Sequence, residues 1–195
     1  MVKVKVLIEG YVKEKNGVEF ASSSVTLLQE NDLNMLIDSG MDRGLLLESL
    51  KMENLSPETI DYVILTHTHL DHCLLSGIFE NAKILDGDSI YSFDGSITSH
   101  AGKIPGTDIE IIETPGHDPF HCSVLVDGEE YGKVAIVGDV FWWRTGEAQQ
   151  TDTETLLNRR DPYVKNEKLL IESRKKILGV ADYIIPGHGK MFKIG

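Results

Sequence analysis

The chain has 195 residues, 41% of them hydrophobic, which is enough for one substantial core and short for two ordinary domains. We therefore expect a single domain over residues 1–195. Acidic residues outnumber basic ones by 31 to 19, and the formal charge of −12 argues against a nucleic-acid partner, because no basic patch is concentrated in the sequence. The N-terminal residues lack the pattern of a secretory signal, and no segment has the length of a membrane span. We expect a cytoplasmic protein that does not enter a membrane.

Apolar, β-branched segments typical of strands recur along the chain. In order, they are residues 2–8, 25–28, 34–38, 62–66, 109–114, 122–126, 134–138 and 183–186. Residues 122–138 are predicted to form a hairpin that turns through Asp127-Gly128 or the residues just after it. Residues 86–108 show no clear periodicity, so we expect loops and short strands there.

Helical patterns lie between some of these strands. One covers Arg43 to Met52, and Ser56-Pro57 is typical of a helix start. A third covers Lys165 to Leu178, with Gly179 predicted to end it in a left-handed conformation. Strands and helices mixed in this way predict a layered α/β or α+β fold.

Four of the predicted strands end in side chains that bind metals. Residues 62–66 lead into three histidines and an aspartate, 109–114 into a histidine, 134–138 into an aspartate and 183–186 into a histidine. The seven residues are His67, His69, Asp71, His72, His117, Asp139 and His188. Any one of them alone would more often be structural, but three histidines and an aspartate in a six-residue HxHxDH pattern rarely arise by chance. Because a catalytic zinc ion usually takes three protein ligands, seven candidates suit two metal ions better than one.

These motifs resemble those of the metallo-β-lactamase-fold hydrolases in order and spacing. The resemblance rests on THTHLDH at residues 66–72, TPGH at 114–117, GD at 138–139 and PGH at 186–188, with NMLIDSG at 34–40 like the family's early strand. It implies a four-layer αββα sandwich with a dinuclear site on one edge. It further implies His67, His69 and His117 around the first metal, and Asp71, His72 and His188 around the second. Asp139 would bridge the two.

Differences between this sequence and individual subfamilies of the fold exclude some of them as relatives. True β-lactamases of this fold usually lack a bridging aspartate, so Asp139 points away from antibiotic hydrolysis. We expect no counterpart of the extra helical domain of the glyoxalase II enzymes. Cys73, Leu74 and Leu75 stand where many relatives have glycines. The C-terminal segment and residues 138–143 are most similar to a small branch of the family whose substrate is not fixed by the resemblance.

The family resemblance implies hydrolysis of a small-molecule ester, thioester, lactone or phosphodiester. Two divalent ions, with Zn²⁺ as the first choice and iron or manganese as alternatives, would activate a bridging hydroxide, and Asp71 would accept a hydrogen bond or proton from it. The alternative is a sulfur dioxygenase-like enzyme with one iron ion on His67, His117 and Asp139, acting on a thiol or persulfide. A third class is a binding module without turnover.

Several further residues are candidates for supporting roles. Asp38 is predicted either to hold the second N–H of a ligand histidine or to be a turn residue. His121 either supports the site or caps a strand, and His100 is expected at the surface. Trp142, Trp143 and Arg144 follow Asp139 and are candidates for the pocket wall, with core packing equally open for one tryptophan. Cys73 and Cys122 are predicted to be small buried residues rather than a disulfide framework. A homodimer is one arrangement that would close the pocket of so small a chain.

Overall fold

The structure is a computed structural model that describes all residues from Met1 to Gly195. Two large sheets and one two-stranded sheet account for its fourteen strands. The strands are β1 (Lys3–Ile8), β2 (Tyr11–Lys15), β3 (Val18–Ser22), β4 (Val25–Glu30), β5 (Leu33–Ile37), β6 (Tyr62–Ile64), β7 (Lys83–Leu85), β8 (Ser89–Tyr91), β9 (Ile97–Ser99), β10 (Glu110–Glu113), β11 (Cys122–Gly128), β12 (Gly132–Ile136), β13 (Tyr183–Ile185) and β14 (Phe192–Lys193). All eight predicted strands are confirmed.

The seven-stranded sheet has the order β1-β4-β5-β6-β7-β8-β9, and the five-stranded sheet has the order β10-β11-β12-β13-β14. Strands β5, β6 and β7 are parallel to one another, as are β12 and β13, while the remaining neighbours are antiparallel. The predicted hairpin is β11–β12, and its turn lies just after Gly128, at residues 129–131. The segment 86–108 contains the two short strands β8 and β9, in agreement with the prediction.

Three apolar clusters show how the layers pack. Sixteen buried residues, among them Leu28, Ile64, Val124 and Ile136, fill the space between the two large sheets. A second cluster packs the outer face of the seven-stranded sheet against a helix, and a third does the same for the five-stranded sheet. Apolar faces on both sides of each sheet explain why the strands read as near-continuous hydrophobic runs. The result is the predicted four-layer αββα sandwich.

Four α-helices complete the layers: α1 (Arg43–Met52), α2 (Leu70–Cys73), α3 (Thr153–Asn158) and α4 (Glu167–Leu178). Helix α1 has the predicted bounds. Asp42 precedes it as the N-cap, and its carboxylate accepts a hydrogen bond from the backbone N–H of Leu45. Ser56-Pro57 begins a single 3₁₀ turn, Pro57–Thr59, rather than a long helix. No helix in the structure combines the length and the apolar character needed to cross a membrane.

Helix α4 begins two residues later than predicted, because the side chain of Asn166 caps it by accepting from the N–H of Leu169. The prediction of a left-handed stop at Gly179 is wrong. Gly179 has φ −82° and ψ −11°, and its N–H still donates to Lys175 O, so the last helical turn continues through it.

The sequence prediction missed the hairpin β2–β3, which turns through Asn16 and Gly17 with φ of 56° and 75°. Its base is tied to the loops that follow the large-sheet strands: the N–H of Ser23 donates to Asp71 O, and that of Ser24 donates to Gly187 O. The hairpin therefore lies at the same edge of the sandwich as the predicted metal ligands.

Candidate metal centre

The seven predicted ligands come together at one edge of the sandwich, where strands from both large sheets end. After β6 the chain passes through His67 to α2, which carries Asp71 and His72 and has His69 at its N-cap. The other three follow β10, β12 and β13 of the five-stranded sheet. His67, His72, His117, Asp139 and His188 are buried, whereas His69 and Asp71 are partly open to solvent.

The first group consists of His67, His69 and His117 together with Oδ2 of Asp139. His69 Nδ1 lies 2.9 Å from His67 Nε2 and 3.1 Å from His117 Nε2. Asp139 Oδ2 lies 3.4 Å from His117 Nε2 and 4.0 Å from His67 Nε2. Ligand atoms at ordinary zinc distances on a tetrahedral ion would be about 3.3 Å apart. These four atoms thus have spacings that a single cation would explain.

The second group consists of Asp71, His72 and His188, and it receives the other oxygen of Asp139. Asp71 Oδ2 lies 3.2 Å from His188 Nε2 and 4.0 Å from His72 Nε2. Asp139 Oδ1 lies 3.3 Å from His72 Nε2 and 3.6 Å from His188 Nε2. The Asp139 carboxylate therefore faces both groups, with one oxygen toward each.

The donor set fits divalent cations, and two buried atoms support this independently. His72 Nε2 and Asp139 Oδ1 are both buried and have no hydrogen-bond partner; the 3.3 Å between them lacks hydrogen-bond geometry. A buried polar atom without a partner is costly and uncommon in a native fold. A metal ion bound to both atoms would remove that cost.

Four of the five histidines have their second ring nitrogen held by another group, which turns Nε2 toward the centre. The pairs are His67 Nδ1 with Thr66 Oγ1 at 3.1 Å, His72 Nδ1 with Asp38 Oδ2 at 2.8 Å, His117 Nδ1 with Asp161 Oδ2 at 2.6 Å and His188 Nδ1 with Ser22 O at 3.1 Å. His69 has the opposite orientation and presents Nδ1. These hydrogen bonds orient the four rings and favour the tautomer that leaves Nε2 free to bind a cation.

The sequence left two roles open for Asp38, and the structure places its side chain beside His72, a candidate ligand. It is buried at the end of β5 with φ 57°, a left-handed conformation that aspartate tolerates better than most residues. Its carboxylate accepts hydrogen bonds from the N–H and the hydroxyl of Thr66 at 2.8 and 2.9 Å, and from His72. Asp38 thus orients His72 and fixes the strand end that carries His67.

His121 is buried and stacks on His67, with ring centroids 4.9 Å apart. Its Nε2 accepts from the backbone N–H of Asp139 at 3.2 Å, so its Nδ1 carries the proton and donates to Thr114 Oγ1 at 3.0 Å. Burial, with a further contribution from His117, lowers the pKa of His121 to about 3. A neutral imidazole suits the acceptor role, and His121 supports the centre without joining either group.

The charges of the centre are mutually stabilised. Burial alone would disfavour the ionised form of Asp139, but His72 and His188 hold the pKa of its carboxyl well below the ordinary value. Burial likewise disfavours a charged His72, yet the carboxylates of Asp139 and Asp38 keep its pKa well above the ordinary value. The pocket therefore maintains an ionised Asp139 and favours positive charge beside it, which is the electrostatic environment a cation site needs.

A cleft of about 360 Å³ opens onto the centre. Its apolar and aromatic lining residues are Val12, Ala21, Met41, Leu70, Trp142 and Tyr163, and its carboxylates are Glu19, Asp71 and Asp139. Trp142 lines this cleft, whereas Trp143 is buried against Phe192 in the core. Arg144 is at the surface, where its guanidinium pairs with Glu19 at 3.0 Å, so its anionic partner belongs to the chain itself. His100 is only half-buried, in a loop, and its Nε2 bonds to Asp86 O.

Sequence reasoning missed Asp161, which contacts His117 from the loop between α3 and α4. Nothing in its neighbourhood, RRDPYVK at residues 159–165, has strand or helix periodicity, and its partner lies 44 positions earlier. It also missed Glu19, Ala21 and Val12 of the hairpin. The Asn16-Gly17 pair, a strong hairpin signal, could have found these.

Comparison with known proteins identifies the family. A model described as the metallo-beta-lactamase superfamily matches residues 18–86. Metallo-beta-lactamase domain-containing protein 1 of Xenopus laevis is 36% identical over 98% of this chain and 81% of that protein, and the chain spans 61% of the length of its mouse counterpart at 34% identity. A probable metallo-hydrolase of Methanocaldococcus jannaschii is 32% identical over 96% of this chain and 87% of its own. The solved structure of AidC, a dizinc quorum-quenching lactonase, has the same fold, with a TM-score of 0.64 at 17% identity over 88% of this chain and 73% of AidC.

The fold and the buried cluster of imidazoles and carboxylates define the chain as a metal-dependent hydrolase. It belongs to the metallo-β-lactamase superfamily, as its motifs indicated, and within that superfamily it is similar over most of its length to metallo-beta-lactamase domain-containing protein 1.

Proposed function

We propose that this chain is a dinuclear hydrolase that cleaves an uncharged acyl substrate, namely an ester, thioester or lactone. The observation that carries the proposal is the Asp139 carboxylate, which turns one oxygen to each group of histidines while Oδ1 has no partner within the chain. His67, His69 and His117 would hold the first ion, and Asp71, His72 and His188 the second, with Asp139 shared.

Two divalent ions in these positions, with zinc as the first choice for this imidazole-rich set, would lower the pKa of a shared water and polarise the oxygen of the bond to be cleaved. Asp71 is the residue we assign to proton movement. Its carboxylate borders the cleft and is the most exposed of the carboxylates at the centre, with 23% of its side chain accessible. It can therefore accept a hydrogen bond from the attacking water and pass a proton toward the leaving group.

Charge and shape of the cleft favour acyl substrates over phosphodiesters. The cleft is lined by the carboxylates of Asp71 and Asp139 and by no lysine or arginine. Glu19, also in the wall, is paired with Arg144 at the surface. The formal charge of −12 over the whole chain adds repulsion for an anionic substrate. The apolar wall suits an acyl chain, and AidC, which shares the fold, is a lactonase seen with N-hexanoyl-homoserine as its product.

The one-iron alternative leaves several of the clustered nitrogen and oxygen atoms without a metal ion to bind. An ion on His67, His117 and Asp139 alone would leave His69 Nδ1 at 2.9 Å from His67 without a role, and His72 Nε2 without a partner.

Both cysteines are unpaired, which is typical of a reducing compartment and supports a cytoplasmic location.

The test combines metal counting with a substrate panel. Elemental analysis of the purified protein should give close to two zinc ions per chain, and lactones or thioesters should be hydrolysed faster than phosphodiesters. His188→Ala should hold about one ion and lose hydrolysis. His100→Ala removes a loop histidine that belongs to neither group and should keep both ions and full activity. A His188→Ala enzyme with full activity would rule out the dinuclear proposal, and one iron per chain with oxygen consumption on thiols would favour the alternative.

A further inference from the structure

Asp161 lies at a junction between the metal centre and the cleft. Its side chain is only 1% accessible, and its two oxygens have different partners. Oδ2 accepts from His117 Nδ1 at 2.6 Å. Oδ1 accepts from the indole N–H of Trp142 at 3.3 Å and from the backbone N–H of Tyr163 at 3.0 Å. One carboxylate is therefore shared by a candidate metal ligand and by two residues of the cleft wall.

Both sides of this junction end at the reacting region. His117 Nε2 belongs to the first group, 3.1 Å from His69 Nδ1. The rings of Trp142 and Tyr163 pack against each other with centroids 5.7 Å apart, and both line the cleft. The ring of Trp142 also lies edge to face with that of His188, with ring centroids 6.2 Å apart. A change in the hydrogen bond on one oxygen of Asp161 thus reaches both the metal centre and the surface that a substrate would touch.

The loop that carries Asp161 is held by several hydrogen bonds, which oppose a movement of the carboxylate away from its partners. The buried guanidinium of Arg174 donates to Arg159 O at 2.5 Å and to Val140 O at 3.1 Å. The N–H groups of Lys165 and Asn166 both donate to Gly116 O, next to His117, at 2.9 Å. The segments around residues 116 and 161 are therefore fixed to each other on two sides.

We infer that Asp161 is a positioning residue that couples occupancy of the first metal group to the orientation of the Trp142–Tyr163 wall. The inference rests on the proposed dinuclear function. A cation on Nε2 of His117 makes its Nδ1–H a stronger donor, and Asp161 Oδ2 takes up more of the carboxylate's charge in that bond. The bond from Oδ1 to the indole weakens in return. Because coupling between two sites is reciprocal, substrate contact with Trp142 would also alter the hold on the metal.

The indole provides a direct readout, because Trp142 is one of only two tryptophans and the other, Trp143, lies in the core. Zinc titrated into metal-free protein should change the tryptophan emission. Trp143→Phe should keep this change and Trp142→Phe should lose it. Asp161→Asn has the same shape, but it should bind zinc about 10–100-fold more weakly at the first group and show no zinc-dependent change in Trp142 emission. Its KM should rise along with the loss in kcat.

Asp38→Asn is the matched comparison, since that carboxylate holds His72 of the second group and has no contact with Trp142. It should weaken the second zinc while leaving the Trp142 response intact. If Asp161→Asn does not fold, Trp142→Phe still tests the coupling from the other side. Without the indole donor, Asp161 should hold His117 more strongly, and zinc should bind about 5-fold more tightly at the first group.

The inference is overturned if Asp161→Asn binds zinc as the wild type does and keeps the Trp142 response, or if Trp142→Phe leaves zinc affinity unchanged. Failure of the proposed function would be distinct, since the unaltered protein would then hold fewer than two zinc ions or hydrolyse no acyl substrate.

Discussion

Replacing Asp38 by asparagine tests how the chain prepares its metal centre. Asparagine matches aspartate in shape and tolerates the left-handed φ of 57°, so the backbone should stay in place. What changes is the oxygen that accepts from His72 Nδ1 at 2.8 Å and from the hydroxyl of Thr66 at 2.9 Å. If the amide oxygen keeps its bond to the N–H of Thr66, the NH₂ group faces His72. That ring must then accept at Nδ1 and carry its proton on Nε2, where an ion should bind.

The size of the effect follows from this change of tautomer. A lost hydrogen bond to a charged group costs about 1.5–3 kcal/mol, which matches the 10–100-fold loss of metal affinity typical when a residue behind a ligand histidine is changed. Titration with zinc against a chromophoric chelator should show the second ion weakened by that factor, and the first weakened less, because His67 reaches Asp38 only through the hydroxyl of Thr66. Asp108→Asn, at a carboxylate with 98% of its side chain exposed, is the control and should bind both ions normally. Two ions bound by Asp38→Asn with wild-type affinity would refute the argument that Asp38 selects the tautomer.

Three further outcomes are expected. Zinc at 100 times its Kd should stabilise the fold by about 2.7 kcal/mol, or about 5–10 °C in Tm for a chain of this length, and EDTA should reverse the shift; a Tm indifferent to zinc would contradict a buried metal centre. Gly187→Ala should lose an ion and its activity, because the new Cβ would overlap Oδ1 of Asp139 and press on the Gly138 backbone; elemental analysis would count the ions and circular dichroism would show how much of the fold remains. Burial raises the pKa of the Cys122 thiol, which therefore stays protonated at pH 8, so iodoacetamide should label only Cys73 in the native protein and both thiols in urea. Labelling of native Cys73→Ser would show that Cys122 is accessible.

The positions of the candidate ligands could be predicted because they are local to strand ends. Residues 62–66, 109–114, 134–138 and 183–186 are recognisable as strands from their apolar, β-branched character, and buried neighbouring strands of a layered fold end at a common edge. The side chains just past these strand ends therefore lie at the same edge, and their metal-binding groups indicate where the metal centre is. Helix α1 was equally predictable, since Asp42 and the leucines after it form a complete local signal.

What could not be predicted depends on contacts between distant segments. Asp161 matters because its loop is held against residue 116 by Arg174 and by two backbone bonds to Gly116 O, and no local pattern encodes that contact. The hairpin β2–β3 is different, because its strands are mostly exposed: β2 ends in Lys-Glu-Lys, and Val18 and Phe20 of β3 face solvent, so no buried apolar run marks them. Gly179 shows a further limit: a glycine after a helix permits a left-handed stop but does not require one.

The two large sheets each supply part of both groups, and this has a mechanical consequence. His67 and His69 follow a strand of the seven-stranded sheet, and His117 follows a strand of the five-stranded sheet. An ion bound to all three would therefore cross-link the two sheets at their edge. The distance between the two sheets, and hence between their ligands, is set by the side chains packed between them, such as Ile64 and Val124. A single methylene added or removed there, remote from the cleft, would widen or narrow the gap that the ions must span. We therefore expect core substitutions that touch no ligand to change the preference of the centre for ions of different size.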